Sequence, residues 1–281
     1  MPRQPRKPAR TTIAVIGAGQ IGGAAAQALA ECGRYRVLAA DPRAEALEPL
    51  AAFGVDGTTD NAAAVRRADL VVLAVKPGVA IDEVRRLRRV LKGKLVVSFA
   101  AAITIAALRR AAPGAQFVRA MPNVALIVKD SYTGYAVAPG LGQRACALAE
   151  QVLREFGEIG QVEENLLDAV TGLSGSGPAY AAIFIEALAY AGLKVGLPRD
   201  VAMRSAARTL EGAARLVLDA NIHPAQVKEM VVTPGGTTIM GIYHIEESGI
   251  RSSVMRAVDA ATSRCTEITA SLNRRPARGR K

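Results

Sequence analysis

Thr12-Ile13-Ala14-Val15-Ile16-Gly17-Ala18-Gly19-Gln20-Ile21-Gly22 is the stretch on which the fold turns. Its first five residues are mostly apolar and read as a short strand. An alanine-rich helical pattern follows, to about Cys32. Between them lies Gly-x-Gly-x-x-Gly at a strand-to-helix turn. Gly17 makes the turn, Gly19 lets a pyrophosphate approach the backbone, and Gly22 lets helix and sheet pack closely. Gln20 and Ile21, where the helix opens, complete this dinucleotide-binding candidate. The motif alone is weak evidence. Here it follows a strand, opens a helix, and precedes a second strand over 35–40 that ends in Asp41.

An acid about 20 residues beyond the glycines is the usual partner of the adenosine ribose. Asp41 would hold the hydroxyls of NAD and repel a 2′-phosphate, whereas Arg43 would pair with that phosphate. The turn Asp41-Pro42-Arg43 carries both groups. NADH and NADPH therefore both stay open.

Outward from this core the alternation continues. Residues 55–58 read as a strand, Asn61–Arg67 as a helix, and 70–75 as an apolar strand fit for the centre of a parallel sheet. That strand runs into Ala74-Val75-Lys76-Pro77, placing Lys76 at a carboxyl end, where open α/β sheets bind ligands. A helix over 79–90 and strand Leu95–Ser98 come next. Ser98-Phe99-Ala100-Ala101-Ala102 is small enough either to let a nicotinamide lie flat or to pack tightly. A strand over 116–119 leads to Met121-Pro122-Asn123, and strands over 133–138 and 158–162 flank a helix over 142–156. Such repeats predict a parallel, doubly wound sheet.

Past residue 163 strand signals vanish and six helical patterns follow, over 166–173, 178–195, 199–219, 224–231, 238–247 and 250–271. The class changes from α/β to all-α. The segment 179–193 is apolar nearly all round, which predicts burial on several sides and, for a helical part of this size, a second subunit. Thr233-Pro234-Gly235-Gly236-Thr237-Thr238 sits between two helices. Pro234 is expected to stop the earlier helix. The two glycines and two hydroxyls at the next helix start form either a small anion site or a simple cap. His223 and His244 lie 21 residues apart with no ligand partners nearby in sequence, and read as capping or surface residues.

The chain has 281 residues and a net charge of +11. Nine basic groups and no acid fall within 1–10 and 272–281; the rest holds 27 basic against 25 acidic residues. The body is near neutral and the ends read as disordered basic tails. With 4% aromatics and no Trp, a dedicated nucleic-acid function is not expected. Cys32, Cys146 and Cys265 are sparse and unpaired in sequence, which suggests reduced thiols and a cytoplasmic protein. No signal-peptide core and no spanning segment is read. The expected organisation is a tail at 1–10, a Rossmann domain at 11–163, a helical dimerisation and substrate domain at 164–271, and a tail at 272–281.

The motifs stand in a recognisable order. Gly17–Gly22 with numbers 17–22, Asn61, Ala74-Val75-Lys76-Pro77, Met121-Pro122-Asn123, Leu173-Ser174-Gly175-Ser176-Gly177-Pro178-Ala179-Tyr180, His223-Pro224 and the 233–238 turn resemble pyrroline-5-carboxylate reductase from about residue 12 to 268. The resemblance implies reduction of Δ1-pyrroline-5-carboxylate to L-proline by NADPH or NADH, and a helical homodimer, often assembled into rings of dimers. It implies cofactor contacts from Asn61, Ala100 and Asn123 beside the glycine turn and residues 74–77. Three places depart from the family pattern: Val124-Ala125 stands where Thr-Pro is usual, Asn221 stands near a common glutamate position, and Ala102 replaces a common glycine.

The chemistry asks little of side chains. A protonated cyclic imine accepts hydride from the cofactor, and the protein orients the pair. The substrate carboxylate is expected on the backbone N–H groups of Gly235, Gly236, Thr237 and Thr238. The Thr238 hydroxyl is expected on the ring nitrogen, with Lys76 facing the substrate. No metal is expected. Two other readings remain: a reductase of another cyclic imine or a β-hydroxyacid-dehydrogenase-like enzyme, and a non-catalytic cofactor-binding protein.

Overall fold

The computed structural model describes residues 10–274. The elements run β1 (Thr12–Ile16), α1 (Gln20–Glu31), β2 (Arg36–Ala40), β3 (Asp56–Thr58), α2 (Asn61–Arg67), β4 (Leu70–Leu73), α3 (Pro77–Leu87), β5 (Leu95–Ser98), α4 (Ile105–Ala111), β6 (Gln116–Met121), β7 (Ser131–Val137), α5 (Gln143–Leu153) and β8 (Gly157–Gln161). Six helices follow: α6 (Leu167–Val170), α7 (Gly177–Lys194), α8 (Arg199–Leu218), α9 (Pro224–Glu229), α10 (Thr237–Glu247) and α11 (Ile250–Arg274).

The strands form one sheet in the order β3-β2-β1-β4-β5-β6-β7-β8. Successive side chains of a strand point to opposite faces, and both faces here are covered. Ile13 and Val15 pack with Leu29, Val152 and Phe156 on one face; Ala14 and Ile16 pack with Val65, Val84 and Leu108 on the other. The short apolar strands are buried because helices lie on both sides, as a parallel sheet requires. One expectation is corrected: β7 runs antiparallel to β6, while β8 is again parallel to β7. Only residues 122–130 join β6 to β7, and a parallel return needs a crossover of roughly a dozen residues or more.

The chain divides into two compact units, one ending at Ser176 and resuming at Ala260, the other running over Gly177–Asp259. These packing units are distinct from the change of class expected at 163, which follows the last strand, β8. The reason is packing: Leu167 of α6 is fully buried in the sheet's core, and Leu272 of α11 packs against the same cluster. Buried Arg119 of β6 also donates to Asp168 Oδ1 at 2.9 Å and lies 3.7 Å from Glu164. The tail expected from 272 is corrected likewise, since α11 continues to Arg274. Residues 1–9 and 275–281, where the rest of both tail expectations falls, lie outside the described residues.

Within the second unit, α7 and α8 pack closely; a Cβ on Gly192 would come within 2.9 Å of the Ala202 Cβ. The expected break before Pro178 is absent. Residues Thr171–Gly175 form a π-turn that leads into α7, with Ser176 N–H donating to Thr171 O at 2.9 Å. Ser176 therefore lies within a continuous helical path. Pro234 also falls short of its expected role, because α9 ends at Glu229. His223 is the N-cap of α9, its Nδ1 accepting from Ala225 N–H at 3.2 Å.

Candidate functional site

The glycine turn has the geometry its residues require. Gly17 stands at φ 96°, and a Cβ there would lie 2.7 Å from Ala74 O. A Cβ on Gly22 would lie 1.9 Å from Gly17 O, so helix and turn meet only through glycine. Gly19 differs, because nothing lies within 4 Å of a Cβ built there. It is the N-cap of α1 and offers no side chain to the first N–H groups, those of Gln20, Ile21 and Gly22. Open space and uncapped N–H groups at a helix start suit a pyrophosphate.

Asp41 follows β2 and is buried at 5% exposure. It is committed within the protein. Oδ2 accepts from Ala18 N–H at 2.9 Å, and Oδ1 accepts from Arg43 N–H at 3.0 Å. The Arg43 guanidinium adds bonds of 3.0 and 3.2 Å to the two oxygens. Burial alone would raise the Asp41 pKa; the bonds from Arg43 and Ala18 outweigh it and hold the carboxyl below its ordinary value. The acid thus ties the end of β2 to the glycine turn and pairs with the base two residues away.

Beside this turn lies a cleft of about 470 Å³, lined by Pro42, Thr59, Asp60, Asn61, Val75, Val79, Glu83 and Arg86 among others. Asp60 caps α2 by accepting from Ala62 and Ala63 N–H, which fixes Asn61 on the first turn. Asn61 Nδ2 donates to Glu83 Oε1 at 2.8 Å, while its Oδ1 is buried without a partner among the described residues. A buried acceptor left unpaired is costly, and a ligand donor in the cleft would relieve it. The residues present fit the adenosine half of a dinucleotide.

Ala74 starts beside Gly17, with its N–H donating to Ile16 O at 2.8 Å. Lys76 caps the start of α3 ahead of Pro77; it is exposed and has no ion pair among the described residues. Phe99 N–H donates to Leu73 O at 2.9 Å, so Ala100, buried, follows immediately on the same rim of the sheet. Asn123 N–H donates to Ser131 Oγ at 3.0 Å, and its Nδ2 donates to Ser174 Oγ at 3.2 Å. The Met-Pro-Asn turn is thereby bound to the Leu-Ser-Gly-Ser-Gly segment, and a Cβ on Gly175 would come within 2.9 Å of Met121 Cε. These residues gather at the carboxyl ends of the parallel strands, around the β1/β4 point where strand order reverses.

In the second unit, Gly235 stands at φ 67° and Gly236 is the N-cap of α10, with its N–H donating to Thr233 O at 3.0 Å. A Cβ on Gly236 would meet Thr233 Oγ1 at 2.2 Å. No side chain caps α10, which begins at Thr237, one residue before the expected start. Its first N–H groups, Thr237 and half-buried Thr238 included, are left for another acceptor.

Sequence reasoning passed over Glu83, Arg119, Asp168, Thr104 and Asn273. Arg119 was the most readable of these: a charge inside the apolar run Phe117-Val118-Arg119-Ala120 needs a buried acid. Among the described residues no group of three or more His, Cys, Asp or Glu is placed to hold a metal, and no helix is long and apolar enough to cross a membrane.

The glycine turn that opens α1, the cleft beside it and the doubly wound sheet make this a dinucleotide-binding protein of Rossmann type. Residues 12–102 match the family model "NADP oxidoreductase coenzyme F420-dependent", and residues 164–268 match "Pyrroline-5-carboxylate reductase dimerisation". The chain is 38% identical over 262 residues to pyrroline-5-carboxylate reductase of Methanosarcina acetivorans, covering 91% of this chain and 97% of that one. It belongs to the pyrroline-5-carboxylate reductase family. Among solved structures, that of the Coxiella burnetii enzyme is similar with a TM-score of 0.85 at 30% identity, covering 92% of this chain and 99% of that one. The Plasmodium falciparum enzyme, solved with NADP bound, gives a TM-score of 0.83 at 26% identity over 92% and 98% of the two chains.

Proposed function

We infer that this chain reduces Δ1-pyrroline-5-carboxylate to L-proline with NADPH or NADH, the last step of proline biosynthesis. The observation that carries this reading is the dimerisation-model match at 164–268 behind a glycine turn built for a pyrophosphate. When bound, the cofactor supplies the hydride that adds to the imine carbon, while the ring nitrogen holds its proton and becomes an amine.

The protein's part is orientation. The glycine turn Gly17, Gly19, Gln20, Ile21 and Gly22 holds the pyrophosphate; Asn61 and the cleft take the adenosine; Arg43 meets a 2′-phosphate when one is present. Residues 74–77, Ala100 and Asn123 complete the cofactor's surroundings. The uncapped N–H groups at the start of α10 support the assignment of Gly235, Gly236, Thr237 and Thr238 to the substrate carboxylate. The Thr238 hydroxyl bonds the ring nitrogen. Lys76 is assigned to the substrate as an exposed positive charge.

The apolar side chains left exposed on α7, α8 and α10 support a homodimer. The three cysteines, all free, support a cytoplasmic setting. The composition outside the tails supports a small-molecule enzyme rather than a nucleic-acid binder.

Loss of NADPH absorbance on adding the imine tests the activity. Loss only with a different cyclic imine would move the substrate assignment. Thr238→Ala tests the centre: a bond that strengthens as the amine forms is worth about 1–3 kcal/mol, roughly tenfold to a hundredfold in kcat. Thr238→Ser is expected to keep most activity. Early melting with normal turnover in the alanine variant would make Thr238 a cap alone.

A further inference from the structure

The β5–α4 connection contains a backbone conformation that non-glycine residues seldom take: Ala102 stands at φ 64°. Its carbonyl oxygen accepts from Asn273 Nδ2 at 2.8 Å. The other end of the same amide, Oδ1, accepts from Thr104 N–H at 3.0 Å and from the Thr104 hydroxyl at 2.9 Å. One side chain therefore grips the loop on both sides of Ile103. The amide is anchored in turn, because Nδ2 also donates to Thr269 O one turn back on α11. Its donor end faces two carbonyls and its acceptor end two donors, so every polar contact matches. Thr104 then caps α4 by accepting from Ala107 N–H at 3.2 Å, and Glu164 Oε1 accepts from Ile105 N–H at 2.6 Å.

The loop so held runs from the rim of the sheet. Phe99 is bonded to Leu73 at its start, Ala100 is buried, and the chain must turn sharply through Ala102 to enter α4. Left to itself an alanine relaxes toward negative φ, and the preceding residues swing with it.

We propose that Asn273 is a positioning residue for cofactor binding: by holding the Ala102 carbonyl it keeps the left-handed turn and sets the path of Ala100. The proposal rests on the reading of Ala100 as a neighbour of the cofactor. Asn273 acts through Ala102 rather than by contact with cofactor or substrate.

Three variants of the full chain test it, with NADPH affinity measured by fluorescence titration beside melting temperature. Asn273→Asp keeps the acceptor for Thr104 but sets a second oxygen against the Ala102 and Thr269 carbonyls. Asn273→Ala removes both ends. Both are expected to raise the NADPH Kd about three- to thirtyfold. Ala102→Gly is the background for the decisive comparison, since glycine takes a positive φ unaided. Combined with Asn273→Asp it is expected to restore the Kd to within about twofold of the parent. Variants that melt early yet bind NADPH normally would reduce Asn273 to a helix anchor. A glycine at 102 that fails to rescue would also overturn the proposal. A parent protein that takes up neither NADPH nor NADH would sink the functional reading, and this inference with it.

Discussion

The two units bury their apolar residues in different measure. The sheet unit encloses two dry layers, with Ile13, Val15 and Leu29 on one side and Ile16, Leu73 and Leu108 on the other, all at 1% exposure or less. Among the described residues of 177–259, only Ala189, Ala202 and Ala206 are buried. Ile183 is 63% exposed, Tyr190 58% and Tyr243 61%. The sheet unit's apolar content is accounted for by one chain; the helical unit's is not. A chain that exposes this much apolar surface either aggregates or meets a partner, and the dimerisation match says which. The apolar surface of α7 thus reports an interface, where the apolar runs of β1 and β4 report a core.

The comparison breaks first at Gly22. A methyl there meets Gly17 O, so Gly22→Ala is expected to cost about 3 kcal/mol or more through forced displacement of α1, and to abolish measurable NADPH binding. Its melting temperature should fall by the same amount at any protein concentration, because the damage lies inside one chain.

Ile183→Lys should behave in the opposite way. It removes nothing from the core of one chain but places a charge on the exposed face of α7. Sedimentation is expected to show dissociation, with stability now depending on concentration. A parent protein that stays a folded monomer at micromolar concentration would remove the contrast between the units.

Arg43→Ala sharpens the comparison within the sheet unit, because it removes a charge partner of Asp41 but no apolar packing. It is expected to weaken NADPH more than NADH by about 1–3 kcal/mol, read from paired Kd values. Equal effects would mean that Arg43 serves only Asp41.

The smallest effect concerns pH. The Asp41 pKa is depressed, so its ion pair stabilises the turn fully above the ordinary carboxyl value of about 4 and loses that contribution as pH falls through the lowered value. Melting temperature followed into acid should show a limb that Asp41→Asn lacks. An unchanged limb would assign it to other carboxylates.

Much of the sheet unit could be read from residues alone, because its signals are local. The glycines state their own sterics, and Asp60 ahead of Asn61 states a helix start. What stayed hidden depends on distance along the chain. The helix Ile105–Ala111 is masked in sequence by the small residues before it, which read as a cofactor turn, although Thr104 ahead of Ile105, Ala107 and Leu108 is a cap signal. The direction of β7 is written in the shortness of 122–130, not in the residue types of the strand. Asn273 reads as part of a tail because the run after it is basic. Its role appears only when Ala102 and Thr104 are beside it, 171 and 169 residues away. For the substrate turn, the glycines and threonines were legible, while the start of α10 at Thr237 depended on Gly236 closing onto Thr233.

The discontinuity of the sheet unit bears on how a ribosome delivers this protein. Domains tend to fold as they emerge, amino end first, yet here the unit that is started first is finished last. A nascent chain ending near residue 259 already contains all eight strands and the glycine turn. It still lacks Leu272 over the sheet and the amide that holds Ala102. Completion of the cofactor-binding unit therefore waits on the final turns of α11, so that the whole helical unit has left the tunnel before the loop after β5 takes its working shape.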